Sequence, residues 1–158
     1  MTSIITTSAA PPAALKGRGF DHVMANPPYF PVGAGTAAAD AGREAALREA
    51  APLGAWADLA ARRLKPGGTL TMIQLAERLP DMLAALDARM GSVEVKPLAP
   101  RAGRAAGRVI LRARKGGRAP FRLHAPLVLH AGPAHRGDGD DATPEAARIL
   151  RAGGALEF

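Results

Sequence analysis

The sequence predicts an α/β fold: parallel strands linked by helices, with an antiparallel hairpin at one edge. Three observations predict it. Short apolar strand patterns alternate with two amphipathic helical patterns as far as residue 98. Glycine and proline stand at most changes of pattern. The last strong strand patterns then follow one another with only a basic loop between them, which pairs them antiparallel. Crossovers between the earlier strands are expected to be right-handed.

Each element has a local reason. Met1 to Leu15 is rich in Ser, Thr, Ala and Pro and reads as a ragged end, with neither the basic start nor the long apolar run of a secretory signal. Phe20 to Asn26 alternates apolar and polar residues and stops at Pro27-Pro28, as a short strand does. Residues 31–52, rich in Gly, Ala and Pro, read as a loop with one helical turn near Arg43 to Ala50. Leu53, Trp56, Leu59, Ala60 and Leu64 have helical spacing, and Lys65-Pro66-Gly67-Gly68 is expected to end that helix. Thr69 to Gln74 reads as a buried strand. Leu79, Met82, Leu83 and Leu86 define a second helix over Leu79 to Met90. Ser92 to Leu98 and Arg108 to Arg114 read as strands joined by the flexible loop Arg101 to Gly107. Phe121 to His130 is extended but carries Pro126 in its middle, so it belongs at an edge. Pro144 to Leu150 is a short helix capped by Thr143.

At 158 residues, a single domain over 1–158 is expected. Cysteine is absent, which excludes disulfide scaffolds and Cys-based zinc sites. No apolar run approaches the roughly 20 residues of a membrane span. Net charge is +7, but its distribution says more. Residues 1–94 balance nine basic against nine acidic residues, while residues 95–137 hold ten basic and no acidic ones. The basic strand-loop-strand of 95–122 contains Lys96, Arg101, Arg104, Arg108, Arg112, Arg114, Lys115, Arg118 and Arg122, with Arg136 beyond it. Such a strip suits a polyphosphate, because each neutralised phosphate releases counterions. The plainer reading is a solvated face.

Asn26-Pro27-Pro28-Tyr29 follows directly from the first strand pattern, at the carboxyl end where open α/β sheets bind ligands. These residue types suit one chemistry. An exocyclic amino group that attacks a methyl donor needs acceptors to aim its lone pair. The Asn26 side-chain oxygen can be one, and a backbone carbonyl pointed by rigid prolines, most simply that of Pro27, can be another. Tyr29 can stack on the ring, a contact of about 1–3 kcal/mol per base. Without that chemistry, the segment is a proline turn with an aromatic lid.

FDHVMANPPYF resembles the amino-methyltransferase motif of Rossmann-like, S-adenosylmethionine-dependent enzymes. The stretches WADLAARRLKPGGTLTMIQLAERLPDMLAAL, KPLAPRAGRAAGRVILRARKGGRAPFRLHAPLVLH and TPEAARILRAGGALEF are similar to the bacterial tRNA (adenine-N6)-methyltransferase family acting on valine tRNA. The resemblance covers residues 15–158. It implies catalytic roles for Asn26, Pro27 and Tyr29, substrate contacts by Pro28 and Phe30, S-adenosylmethionine as cofactor and tRNA as partner; a cytoplasmic location is expected by default from the N-terminal pattern. Arg101, Arg104, Arg108, Arg112, Arg114, Lys115 and Arg118 are the candidates for holding the RNA. The family's glycine-rich cofactor loop and following acidic residue lie upstream of the motif, where this sequence has 25 residues. The expectation is therefore the C-terminal portion of such a sheet, with the N-terminal cofactor-binding strands missing and Asn26 the one cofactor-side residue. An exposed edge on the first strand would then favour a homodimer. Alternatives are a non-catalytic nucleic-acid-binding fragment, or an amino-methyltransferase of DNA or of protein glutamine; the basic strip argues against the last.

Other patterns carry less. Gly33 to Ala38 spells G-x-G-x-x-A, but Pro27, Pro28 and Pro31 stand where a strand should precede it. His22, His124, His130 and His135 form no ligand spacing for a metal. Asp138, Asp140 and Asp141 read as a surface turn and Trp56 as a core anchor.

Overall fold

A computed structural model of the chain describes residues 2–6, 17–29, 52–134 and 141–158. The strands among them are β1 (Ser3–Thr6), β2 (Phe20–Ala25), β3 (Leu64–Leu75), β4 (Met90–Ala99), β5 (Arg108–Lys115), β6 (Arg122–Leu123) and β7 (Leu127–Val128). The helices are α1 (Leu53–Arg63), α2 (Leu79–Ala85) and α3 (Pro144–Leu150). One sheet results, in the order β1-β2-β3-β5-β4, with β6 and β7 both on the outer side of β4. β1, β2 and β3 run parallel, and β5 is antiparallel to both β3 and β4. The expected antiparallel pair is therefore present, with β5 lying between β3 and β4.

One face of the sheet is covered by α1 and α2. Trp56, Ala60 and Ala61 of α1 and Met82 of α2 pack with Val23, Ala25, Leu70, Met72, Val95 and Leu111. Burying a side chain of the larger kinds contributes about 1.5–3 kcal/mol. The apolar stripe of α1 therefore holds it to the sheet, since no side chain caps its start at Pro52. On β5, Val109, Leu111 and Ala113 are buried in that core, while Arg108, Ile110, Arg112 and Arg114 alternate onto the other face.

The structure corrects several expectations. The N-terminus is not ragged throughout: Ser3–Thr6 pairs in parallel with His22–Ala25, so β2 is an interior strand and the free edge has moved to β1. Asp21 secures this addition. Its carboxylate accepts from the Thr2 backbone N–H at 2.7 Å and from Lys65 Nζ at 3.1 Å. The Thr2 N–H first, and then Lys65, hold its pKa below the usual carboxylate value. A lowered folded-state pKa means stabilisation present above about pH 4 and lost as pH falls through the folded value. The protection factor of the Ile4 amide against hydrogen exchange is thus expected to fall on acidification more than that of Leu70. An equal loss of protection at both would exclude the Asp21 clamp.

The helix α1 ends at Arg63, one residue earlier than its spacing suggests, because Leu64 is already extended and pairs with Phe20. Lys65-Pro66-Gly67-Gly68 does not lie between helix and strand. It bulges from β3 between the Phe20–Leu64 and His22–Thr69 pairs. The second helix stops at Ala85 and not at Met90, with Leu86 extended. Asp87 then turns the chain, its carboxylate accepting from the Arg89 backbone N–H at 2.8 Å and also from the Arg89 guanidinium. Phe121 to His130 splits at Pro126 into β6 and β7, which meet β4 on either side of Lys96-Pro97. α3 starts as expected, with Thr143 Oγ1 accepting from Ala146 N at 3.1 Å. The loop over 31–51 and the Gly33–Ala38 pattern lie outside the described residues.

Gly91 and Gly117 approach where β4 begins and β5 has just ended. A Cβ on Gly91 would stand 2.2 Å from the Gly117 carbonyl oxygen, a backbone atom that cannot swing aside. Gly91→Ala is expected to cost about 1–3 kcal/mol through displaced backbone, readable as a lowered urea midpoint. An unchanged midpoint would mean the two turns are not held together.

Candidate functional site

β2 ends at Ala25, and the next four residues are Asn26, Pro27, Pro28 and Tyr29. Asn26 is exposed, Pro27 is buried, and Pro28 and Tyr29 are half-buried. The prolines end the ladder and direct their carbonyls toward the end of β3. Gln74 meets them there. It is completely buried, and its Nε2 donates to Pro27 O at 3.3 Å and to Pro28 O at 3.0 Å. Its Oε1 accepts from the Leu75 backbone N–H at 2.8 Å. A single amide thus ties the Asn-Pro-Pro turn to the neighbouring strand and holds both carbonyls in place. Each carbonyl has two lone pairs, and the Gln74 amide engages one on each.

The sequence pattern marks Gln74 only as part of a buried strand. Its signal was present: a polar residue in the inward register of Leu70 and Met72, where a buried amide needs partners. The sequence could not show that those partners are the two proline carbonyls, because that depends on the parallel register of β2 and β3.

Tyr29 has a cationic neighbour. The Arg108 guanidinium lies over its ring, 5.5 Å from the centroid. Such a contact is worth about 0.5–1 kcal/mol at an exposed site. It occupies one face of the half-buried ring.

The basic candidates separate into groups. Arg108, Arg112 and Arg114 share the sheet face opposite α1 and α2. Arg112 stands over the Phe158 ring at 4.5 Å, and Arg114 Nε donates to Gly67 O at 2.9 Å. Arg101 turns elsewhere, pairing with Asp141 at 2.6 Å and donating to Ala131 O and Gly132 O. Lys115 Nζ donates to Leu64 O at 2.7 Å. Arg104 and Arg118 are exposed, and Phe30 lies outside the described residues. Trp56 is a core anchor, 2% exposed. Asp141 does not belong to a free surface turn, since it also meets His130 Nδ1 at 2.8 Å.

At the carboxyl end of β2 the described residues offer the exposed Asn26 amide and the two proline carbonyls. No acidic side chain among the described residues directly follows β1 or β2 to hold a ribose. Among the described residues no helix is long and apolar enough to cross a membrane.

No family model matches the chain, and no curated protein matches it. Solved structures do. A predicted O-methyltransferase of Agrobacterium tumefaciens superposes with a TM-score of 0.68 at 24% identity, over 96% of this chain and 62% of that one. A putative class I S-adenosylmethionine-dependent methyltransferase of Listeria monocytogenes gives a TM-score of 0.46 at 16% identity, over 75% of this chain and 39% of that one. TrmN from Thermus thermophilus gives 0.37 at 18% identity, over 63% and 24%. The chain thus spans less than two thirds of the Agrobacterium protein. Over that length it shares the fold of the Agrobacterium protein, a mixed α/β sheet with Asn26-Pro27-Pro28-Tyr29 at the carboxyl end of an interior parallel strand.

Proposed function

We propose that the chain carries the substrate side of an S-adenosylmethionine-dependent N-methyltransferase acting on an adenine exocyclic amino group in tRNA. The observation that carries this reading is the fixed turn: an exposed Asn26 followed by two proline carbonyls held by the buried amide of Gln74.

The cofactor supplies an electrophilic sulfonium methyl group. The chain's own residues prepare the nucleophile. Asn26 Oδ1 accepts one N–H of the amino group and the Pro27 carbonyl accepts the other. Together they direct the nitrogen lone pair out of the base plane. The Tyr29 ring stacks on the base, and Arg108 on its opposite face strengthens the ring's hold on nearby anionic groups. Such a transfer depends on proximity and alignment more than on a strong base. As the nitrogen–methyl bond forms, the sulfur–methyl bond of the cofactor would break to leave a neutral thioether, and the surplus amino proton would pass to solvent at the exposed Asn26, whose oxygen aligns the group and does not act as a base.

The test has two parts. Calorimetry on the purified chain, with and without a tRNA pool, measures S-adenosylmethionine binding. Transfer of a labelled methyl group to tRNA, followed by nucleoside analysis, identifies the product. Saturable binding with label in N6-methyladenosine supports the reading. Label in a ribose or a protein side chain would replace it with a different substrate. A folded chain that binds neither cofactor nor tRNA would end it. The basic strip supports an RNA partner over a glutamine amide, because its charge has no use in an amide site.

A further inference from the structure

We infer that the sheet face opposite α1 and α2 is a track for a single-stranded polynucleotide, running along β5 from Tyr29 to a cleft at the far end of the sheet. The inference rests on the reading of the basic segment as a nucleic-acid binder and adds the path that the strand takes.

β5 is antiparallel to β3, so it starts beside the carboxyl end of β3 and finishes at the other end. Arg108 pairs across from Leu75, near Gln74 and the Asn-Pro-Pro-Tyr turn; Arg114 pairs across from Thr69, near the start of β3. Six residues of strand separate them, about 20 Å at roughly 3.3 Å per residue. That length corresponds to about six stacked nucleotides at about 3.4 Å each, and to fewer if the strand is stretched. Arg108, Arg112 and Arg114 all stand on this face, because the residues between them are buried on the other.

Two of the three cations have an aromatic ring beside them. Arg108 lies over Tyr29 and Arg112 over Phe158. Alternating cations and rings is the chemistry of single-strand binding: cations meet phosphates and rings stack on bases. Lys96, next to Ile110 in the adjoining strand, adds a further positive charge to the row. The acidic residue among them is Glu94, which lies 3.5 Å from His124 Nε2 and 3.9 Å from Arg122.

The far end opens into a cleft of about 460 Å³. Arg112, Arg114, His22, Thr69, Ser92 and Glu94 are among its lining residues. Asp21, paired with Lys65, lines it as well, and the arginine, imidazole and hydroxyl groups are the ones that suit a phosphate. This cleft stands at the amino ends of β2 and β3, whereas Asn26 stands at the carboxyl end of β2. It therefore does not belong to the methyl-transfer site, and β5 is the strand that joins the two places.

Fluorescence anisotropy of the full chain with labelled oligoadenylates of about two, six and ten nucleotides tests the track directly. Oligodeoxyadenylate and a duplex of equal length serve as comparisons. The variants are Arg112→Gln with Arg114→Gln, the same pair changed to Lys, and Arg62→Gln on the far side of α1. The track predicts that affinity rises steeply up to about six nucleotides and then levels off. The double Gln variant binds at least fivefold more weakly, and its salt slope falls by about 1.4, or about 0.7 per lost contact. The double Lys variant keeps most of the affinity, and Arg62→Gln keeps all of it. Tighter binding of the ribose strand makes RNA the ligand; equal binding makes it any single strand. Equal loss in Arg62→Gln, stronger duplex binding, or binding untouched by the double Gln variant would each overturn the track. The readout is binding alone, so an absence of methyl transfer leaves this result standing, and loss of the track leaves the Asn26 site untouched.

Discussion

Gln74→Met is expected to lower stability by about 2–4 kcal/mol, measured as a shift of the urea midpoint at unchanged slope. The replacement is close in size and fills the same buried volume, so no large cavity contributes. What is lost is polar. Pro27 O, Pro28 O and Leu75 N each lose a partner. An unsatisfied buried group costs about 1–3 kcal/mol. Water can reach the half-buried Pro28 and offset part of the loss, which sets the upper end of the range. The same variant is expected to loosen the turn, because nothing else described ties those carbonyls to β3. A charge variant separates this account from simple packing. Gln74→Glu places a carboxylate against two carbonyl oxygens at neutral pH, and burial raises its pKa. A raised folded-state pKa makes the variant weakest at neutral pH, with stability recovering as pH falls and the carboxyl gains a proton to donate. A Met variant as stable as the parent, or a Glu variant without pH recovery, would show that Gln74 does not hold the turn.

Asn26→Ala is expected to leave stability within about 0.5 kcal/mol, because the side chain is exposed at the end of β2. On the proposed function, methyl transfer to tRNA falls by about 10²–10³-fold in kcat, the usual effect of removing one aligned polar group from a transition state. KM for tRNA should change little, because phosphate contacts dominate that affinity. Initial rates at saturating S-adenosylmethionine separate the two quantities. Asn26→Asp keeps an oxygen acceptor and should retain more activity than the alanine variant. A fall in affinity with kcat intact would make Asn26 a binding residue and leave the amino group to be aligned by something else.

These two residues differ in how they could be found. Asn26 is visible in the chain itself: a strand pattern, then Asn, two prolines and an aromatic ring, with each type suited to the chemistry. Gln74 is visible only as a polar residue in an apolar strand. Its role appears when β3 lies parallel to β2 in a register that sets its amide against the Asn-Pro-Pro turn. The basic strip shows the same division. Composition located it between residues 95 and 137, but gave every arginine equal standing. The fold turns Arg101 to Asp141 and Lys115 to Leu64 O, and leaves Arg108, Arg112 and Arg114 in one row.

By itself the sequence determined the kinds and order of most elements, the apolar stripe of α1, the Thr143 cap and the Asn-Pro-Pro-Tyr turn. These are local: periodicity, capping and proline geometry act over a few residues. Tertiary structure decided what depends on distant partners. Ser3–Thr6 is a strand because β2 offers an unpaired edge and Asp21 accepts the Thr2 N–H. Leu64 leaves the helix because Phe20 pairs with it, and β5 lies between β3 and β4 because both present open ladders there. No short window of sequence contains such a partner, since backbone pairing is set by which edges meet and not by the residues that carry them.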